Sequence, residues 1–87
     1  MSKYRFKTTI EFDEDHKNIR RNFELKKRLQ NKMNEILENP YHYKPLRNVL
    51  KNKRRTHIGS FVLIFEVTEN DHSVTFHSFK HHDESYE

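Results

Sequence analysis

Tyr4, Phe6, Thr8 and Ile10 alternate with Arg5, Lys7, Thr9 and Glu11, and this period of two predicts a strand with one buried face over about residues 3–9. The pattern then changes. Asp13, Glu14 and Asp15 stand where the free N–H groups of a helix's first turn favour acidic side chains, and Phe12, His16, Ile19 and Phe23 follow at helical spacings, which predicts a short first helix. Leu25, Leu29, Met33, Ile36 and Leu37 form the apolar stripe of a second helix, whose opposite face carries Lys26, Lys27, Arg28 and Lys32. That helix should stop near Asn39, because Pro40 disfavours helical dihedrals in the residue before it.

Tyr41 to Leu50 contains a second proline, Pro45, and reads as an irregular connection that lays Leu46 and Leu50 on the core and leaves Arg47 exposed. Strands follow. Arg54 to Ile58 leads to a tight turn at Gly59-Ser60, then Phe61, Leu63, Phe65 and Val67 alternate with Val62, Ile64 and Glu66. Gly59 is the only glycine, and its place between two strands predicts a backbone conformation other residues enter with difficulty. The apolar run Phe61 to Phe65 predicts a central strand covered on both faces. Glu69-Asn70-Asp71-His72 is a polar turn leading to Val74, Phe76 and, after a bend, Phe79. The order β-α-α-β-β-β predicts an α+β fold: an N-terminal strand, a helical hairpin and a three-stranded antiparallel meander, closing a mostly antiparallel four-stranded sheet.

With 87 residues the chain is expected to be one domain. Its 32% hydrophobic content is thin for a core, but seven Phe and four Tyr raise the apolar area available to each buried side chain. The absence of cysteine excludes disulfides and thiolate zinc sites, so the apolar core alone must hold the fold, and a cytoplasmic location fits. No apolar stretch has the length of a membrane span, and Met1-Ser2-Lys3-Tyr4-Arg5 lacks the apolar core of a secretory signal, so no membrane partner is expected. The net charge of +4 is unevenly spread. His16 to Arg55 holds thirteen Lys and Arg against three Glu, a net +10, which leaves −6 for the rest. Lys51, Lys53, Arg54 and Arg55 place four cations within five residues, where they repel one another unless a polyanion or an acidic protein relieves them.

The element order, the basic strand ending in a Gly turn, the run Gly59-Ser60-Phe61-Val62-Leu63-Ile64-Phe65 and the terminal Lys80-His81-His82-Asp83-Glu84-Ser85-Tyr86 together resemble the RelE/ParE superfamily of type II toxins. The resemblance covers nearly the whole chain. It implies one of two activities: RelE-like members are ribosome-dependent endoribonucleases (mRNA interferases) that cut messenger RNA in the decoding site, and ParE-like members poison DNA gyrase. Both kinds are usually neutralised by an antitoxin that wraps around them, so a toxin–antitoxin hetero-oligomer is implied. Carried over by position, Arg55 and His57, with Arg54 beside them, match the basic residues that face RNA before the Gly turn. The Tyr-Arg pair that commonly follows this turn reads Phe61-Val62 here, so the arginine that helps stabilise the scissile phosphate is absent. Lys80, His81 and His82 precede Tyr86 where many relatives place Arg or Lys before a tyrosine.

Metal-free RNA cleavage requires the 2′-hydroxyl to lose a proton, the leaving 5′-oxygen to gain one, and cations to stabilise the phosphate between them. Histidine suits both proton roles near neutrality, and three of the seven histidines (His77, His81, His82) fall in the last eleven residues. The expected catalytic set is Arg55, His57, Lys80, His81, His82 and Tyr86. Arg47, Lys51, Lys53 and Arg54 are expected to bind RNA. Tyr86 could instead stack on a base, His57 could be an ordinary sheet residue, and His81 to Glu84 could be a polar terminus. His77 and His81 are spaced for a metal only if they lie on a helix, so no metal and no cofactor are expected. The antitoxin should bring an amphipathic helix and acidic residues to the groove beside the helical hairpin and to the basic strand edge. Alternative readings are a catalytically degenerate or gyrase-inhibiting protein of the same fold, favoured by Val62 in place of arginine, and a small basic nucleic-acid-binding domain.

Overall fold

A computed structural model of the chain describes residues 3–43 and 53–83. Thr9 decides where the first helix begins: its side chain accepts a hydrogen bond from the Phe12 N–H at 3.0 Å, so the chain leaves strand β1 (Arg5–Thr8) and turns into α1 (Ile10–Asn18). Ile10, read from the alternation as the end of a strand, therefore lies on the helix and is 79% exposed. Asn22 caps α2 (Phe23–Glu38) in the same way, accepting from Leu25 N–H at 3.1 Å. Phe23 is the first residue of α2 and is exposed, rather than the last apolar position of α1. The helix ends at Asn39, before Pro40, where the sequence places its stop. A 3-10 turn follows over Pro40–His42. Leu46, Arg47 and Leu50 lie outside the described residues.

The second half of the chain forms β2 (Lys53–Ile58), β3 (Phe61–Thr68) and β4 (Ser73–His81). The sheet order is β1-β4-β3-β2, with β2, β3 and β4 antiparallel to their neighbours and β1 parallel to β4. The sheet is thus mixed but mostly antiparallel. The helical hairpin carries the chain from one edge to the other, and two tight turns return it to β1 in the same direction. Both turns use left-handed backbone, at Gly59 (φ 61°) and at His72 (φ 55°). His72 is held in that conformation from two sides: Tyr4 stacks on its ring at 3.8 Å, and its carbonyl accepts from Arg5 N–H at 2.9 Å.

The core lies between the helices and one face of the sheet. Phe12, Ile19, Leu25, Leu29, Met33, Ile36 and Leu37 pack on Ile58, Leu63, Phe65, Val67, Val74, Phe76 and Phe79. Val74 and Phe76 share parity, but Phe79 does not, and the register explains it. Phe65 pairs with Phe76 while Ile64 pairs with Ser78, so His77 is an extra residue in β4, a β-bulge that returns Phe79 to the core face. This is the bend that the spacing of Phe76 and Phe79 predicts. Two expectations change. β1 is an edge strand whose four residues are all exposed, Phe6 at 60%, and among its neighbours Tyr4 packs on the core. β3 is central as expected, but the helices cover one face only, and on the other Val62 is buried while Ile64 is half-buried.

Candidate functional site

The sheet face turned away from the helices gathers the charged residues. Across β2, β3 and β4, Lys53 Nζ lies 3.8 Å from Glu66 Oε1, and His77 Nε2 lies 2.9 Å from the same oxygen, so all three side chains share this face. Strand alternation then places Arg55 and His57 beside Lys53. Both are exposed, and among the described residues no hydrogen bond or ion pair engages either. Arg55, Thr56 and His57 line an open hollow of about 370 Å³ with His42 and Tyr43.

Arg54, expected among the RNA-binding cations, has the opposite parity and a different role. Its guanidinium donates to the Tyr43 carbonyl at 2.7 Å and lies 4.9 Å from the Tyr41 ring centroid, holding the 3-10 turn against the sheet. Lys80 is likewise occupied. Its ammonium donates to Asp15 Oδ1 and Oδ2 at 2.7 and 2.9 Å and lies 3.1 Å from Glu11. Burial alone would lower its pKa, but the bonds to Asp15 and Glu11 outweigh that and hold it above its ordinary value. A cation so paired is not available to a phosphate while α1 stays in place. Register sets His57 and Lys80 on either side of Val62, about 10 Å apart in backbone.

His81 and His82 stand at the end of β4. The His82 N–H donates to the Ser60 carbonyl at 2.8 Å, continuing the ladder past the strand. The two imidazoles stack at 4.8 Å, and His81 meets Phe61 edge-on at 5.5 Å. His81 lines a hollow with Ser60, Arg28 and Glu24, separate from the one at Arg55 and His57. Among the described residues, then, the expected site residues are arranged as two neighbouring groups rather than one cleft. Tyr86, Lys51 and Arg47 lie outside the described residues.

One pair escapes the sequence reading. His77 bonded to Glu66 is an imidazole oriented by a carboxylate, half-buried on the same face as Arg55, the arrangement that proton transfer by histidine requires. The available signal is the three-residue step from Phe76 to Phe79, which marks an inserted residue without saying which way it points. Elsewhere, a groove of about 620 Å³ runs between β1 and the helices, lined by Tyr4, Phe6, Phe12, Met33 and Leu37 with polar residues around them. Among the described residues no helix is long and apolar enough to cross a membrane.

Comparison with known proteins agrees with this fold. A protein of Methanocaldococcus jannaschii provisionally named toxin RelE4 is 51% identical over 61 residues, 69% of this chain, and the match spans 65% of that relative's length. The isolated RelE toxin of E. coli superimposes with a TM-score of 0.80 at 16% identity, covering 94% of this chain and 87% of that one. A chain of the E. coli DinJ–YafQ toxin–antitoxin complex superimposes with a TM-score of 0.79 at 18% identity, covering 98% and 99%. Residues 6–86 match the family model described as the ParE toxin of the type II toxin–antitoxin system parDE. With that match over nearly all of its length, the chain belongs to the ParE toxin family, within the RelE/ParE superfamily.

Proposed function

We propose that this chain is the toxin of a toxin–antitoxin pair and cuts messenger RNA on the ribosome. The observation that carries the reading is the helix-free sheet face, where Arg55 and His57 are exposed and unpaired among the described residues, beside the His77–Glu66 pair. Cleavage proceeds by attack of the 2′-oxygen on the adjacent phosphorus and departure of the 5′-oxygen, leaving a 2′,3′-cyclic phosphate. Arg55 ligates the non-bridging oxygens, with Lys53 joining it on leaving Glu66, and His57 or His77 accepts the 2′-hydroxyl proton. The other of these two imidazoles returns a proton to the 5′-oxygen, and Tyr86 stacks on a base. Arg54 and Lys80 have no place in this scheme, because Tyr41, Tyr43, Asp15 and Glu11 already engage them.

The inhibitor is an antitoxin that lays an amphipathic helix along the β1 groove. Phe6, 60% exposed, gives such a helix its apolar footing together with Met33 and Leu37 in the groove. Its acidic residues reach the basic edge at β2. Induced expression in a bacterial host tests this reading: growth should arrest, and co-expression of the antitoxin from the adjacent reading frame should restore it. Growth without arrest would contradict it.

A second reading has its own observation. Val62 stands between His57 and Lys80 where the resemblance implies an arginine, and Lys80 is neutralised by Asp15 and Glu11. A protein of this fold that blocks gyrase or another target by binding needs neither cation. Growth arrest with intact messages would favour it.

A further inference from the structure

His81, His82 and Asp83 each bring one ligand atom to within 4.8 Å of the other two. The backbone beneath them is held by the sheet, through the last register pair of β3 and β4, Phe61 with His81, and through His82 N–H to Ser60 at 2.8 Å. Asp83 N–H donates to His81 Nδ1 at 3.3 Å. The Asp83 carboxylate faces both rings, with Oδ2 at 3.5 Å from His81 Nδ1 and Oδ1 at 3.4 Å from His82 Nδ1. The carboxylate and the two imidazoles thus border one gap, where a single cation would meet all three side chains.

The spacing fits a particular kind of cation. Ligand atoms about 2.0–2.1 Å from a tetrahedral zinc ion lie roughly 3.3 Å from one another, close to the 3.4 and 3.5 Å that separate one or the other Asp83 oxygen from each imidazole. To reach that geometry the widest separation must close by about 1.5 Å at most, and the rings, stacked at 25°, must rotate to aim both nitrogens at one ion, movements open to these partly exposed side chains. Two imidazoles and one carboxylate select zinc, nickel or copper over magnesium or calcium, which prefer all-oxygen shells. We infer that His81, His82 and Asp83 form a three-ligand site for a divalent transition-metal ion, with a coordination position left open to solvent.

The strand geometry also explains why spacing does not reveal this site. His77 and His81 lie on β4, not on a helix, and the group forms from consecutive residues where the strand ends. The inference rests on geometry alone and is independent of the ribonuclease reading, whose proton transfers use His57 and His77.

Calorimetric titration of the full chain with Zn²⁺ tests it, alongside the His81→Ala/His82→Ala, Asp83→Asn and His77→Ala variants. One equivalent should bind to the unaltered chain and to His77→Ala, with affinity reduced by at least about tenfold in the other two. Far-UV circular dichroism should be unchanged throughout, since the altered side chains of the site lie outside the core. Co²⁺ should give the intense visible absorption of a tetrahedral site in the unaltered chain and lose it in the double variant. No stoichiometric binding, binding unaffected by the double variant, or binding lost equally in His77→Ala would each overturn the assignment.

Discussion

Asp15 and Phe79, 64 residues apart in the chain, meet through a single hydrogen bond in which the Phe79 N–H donates to Asp15 Oδ2 at 2.9 Å. The bond completes a handover along one edge of the sheet. β1 covers β4 only as far as the pair Thr8 and Phe76. Beyond it, Thr9 N–H reaches the Phe76 carbonyl at 3.2 Å, Thr9 Oγ1 reaches the His77 carbonyl at 2.9 Å, and Asp15 takes the Phe79 N–H. Thr9 at the N-cap and Asp15 within α1 thereby do the work of a missing strand, and Lys80 balances the buried carboxylate.

Asp15→Ala should cost roughly 2–3 kcal/mol, because it leaves a buried N–H without an acceptor and Lys80 with Glu11 alone. Asp15→Asn keeps an acceptor for Phe79 and should cost less. Urea unfolding of the two variants checks the order, and equal losses would show that the Phe79 bond contributes little.

Gly59→Ala should destabilise by about 1–2 kcal/mol through its left-handed backbone. Space is not the cause, since an added Cβ would meet the Arg28 guanidinium at 3.6 Å, an ordinary contact. Gly59→Asn should therefore lose less than Gly59→Ala, as asparagine tolerates this conformation better. Thermal denaturation resolves the two, and the reverse order would place the cost in packing.

Acid should loosen the end of the molecule opposite the Gly59 turn. Glu69 accepts hydrogen bonds from the Tyr41 and Tyr4 hydroxyls, which hold its pKa below its ordinary value near 4.5. Asp71 is lowered in the same sense by Lys7 and Ser73. A depressed carboxylate contributes stability that is complete above the unfolded-state pKa and disappears as pH falls through the folded one. The melting temperature should thus drop between about pH 5 and pH 3. The Tyr4→Phe/Tyr41→Phe variant should show a shallower drop, with the Asp71 part retained. Identical profiles would remove Glu69 from the account.

Much of this fold is legible in the sequence because capping and periodicity act locally. Pro40 stops α2, Gly59 turns β2 into β3, and the alternation of Leu63, Phe65 and Val67 marks the core face. What the pattern cannot convey is pairing. The exposure of Phe6 follows from β1 lying at a sheet edge, and the half-exposed Ile64 from helices covering one face only. The candidate site is legible to a similar depth. Residue type and strand parity put Arg55 and His57 on one exposed face, but the occupation of Arg54 by Tyr41 and Tyr43, and of Lys80 by Asp15, are tertiary contacts. The His77–Glu66 pair depends on a bulge whose direction no period encodes.

That pair gives a prediction of its own. Glu66→Gln and His77→Ala should each lower RNA cleavage by roughly a hundredfold if the imidazole transfers a proton. Folding should be little affected, since both side chains lie on the half-buried outer face. Full activity in His77→Ala would make the pair a structural contact and take His77 out of the proton-transfer scheme.

The most direct measurement is primer extension on a defined message incubated with programmed ribosomes and the purified chain, with an Arg55→Ala/His57→Ala variant in parallel. The account predicts codon-spaced cuts that require ribosomes and fall by at least about a hundredfold in the variant, with the variant's circular dichroism unchanged. An intact message with the unaltered chain, or cuts of equal strength with the variant, would contradict the claim that this sheet face is a ribonuclease site.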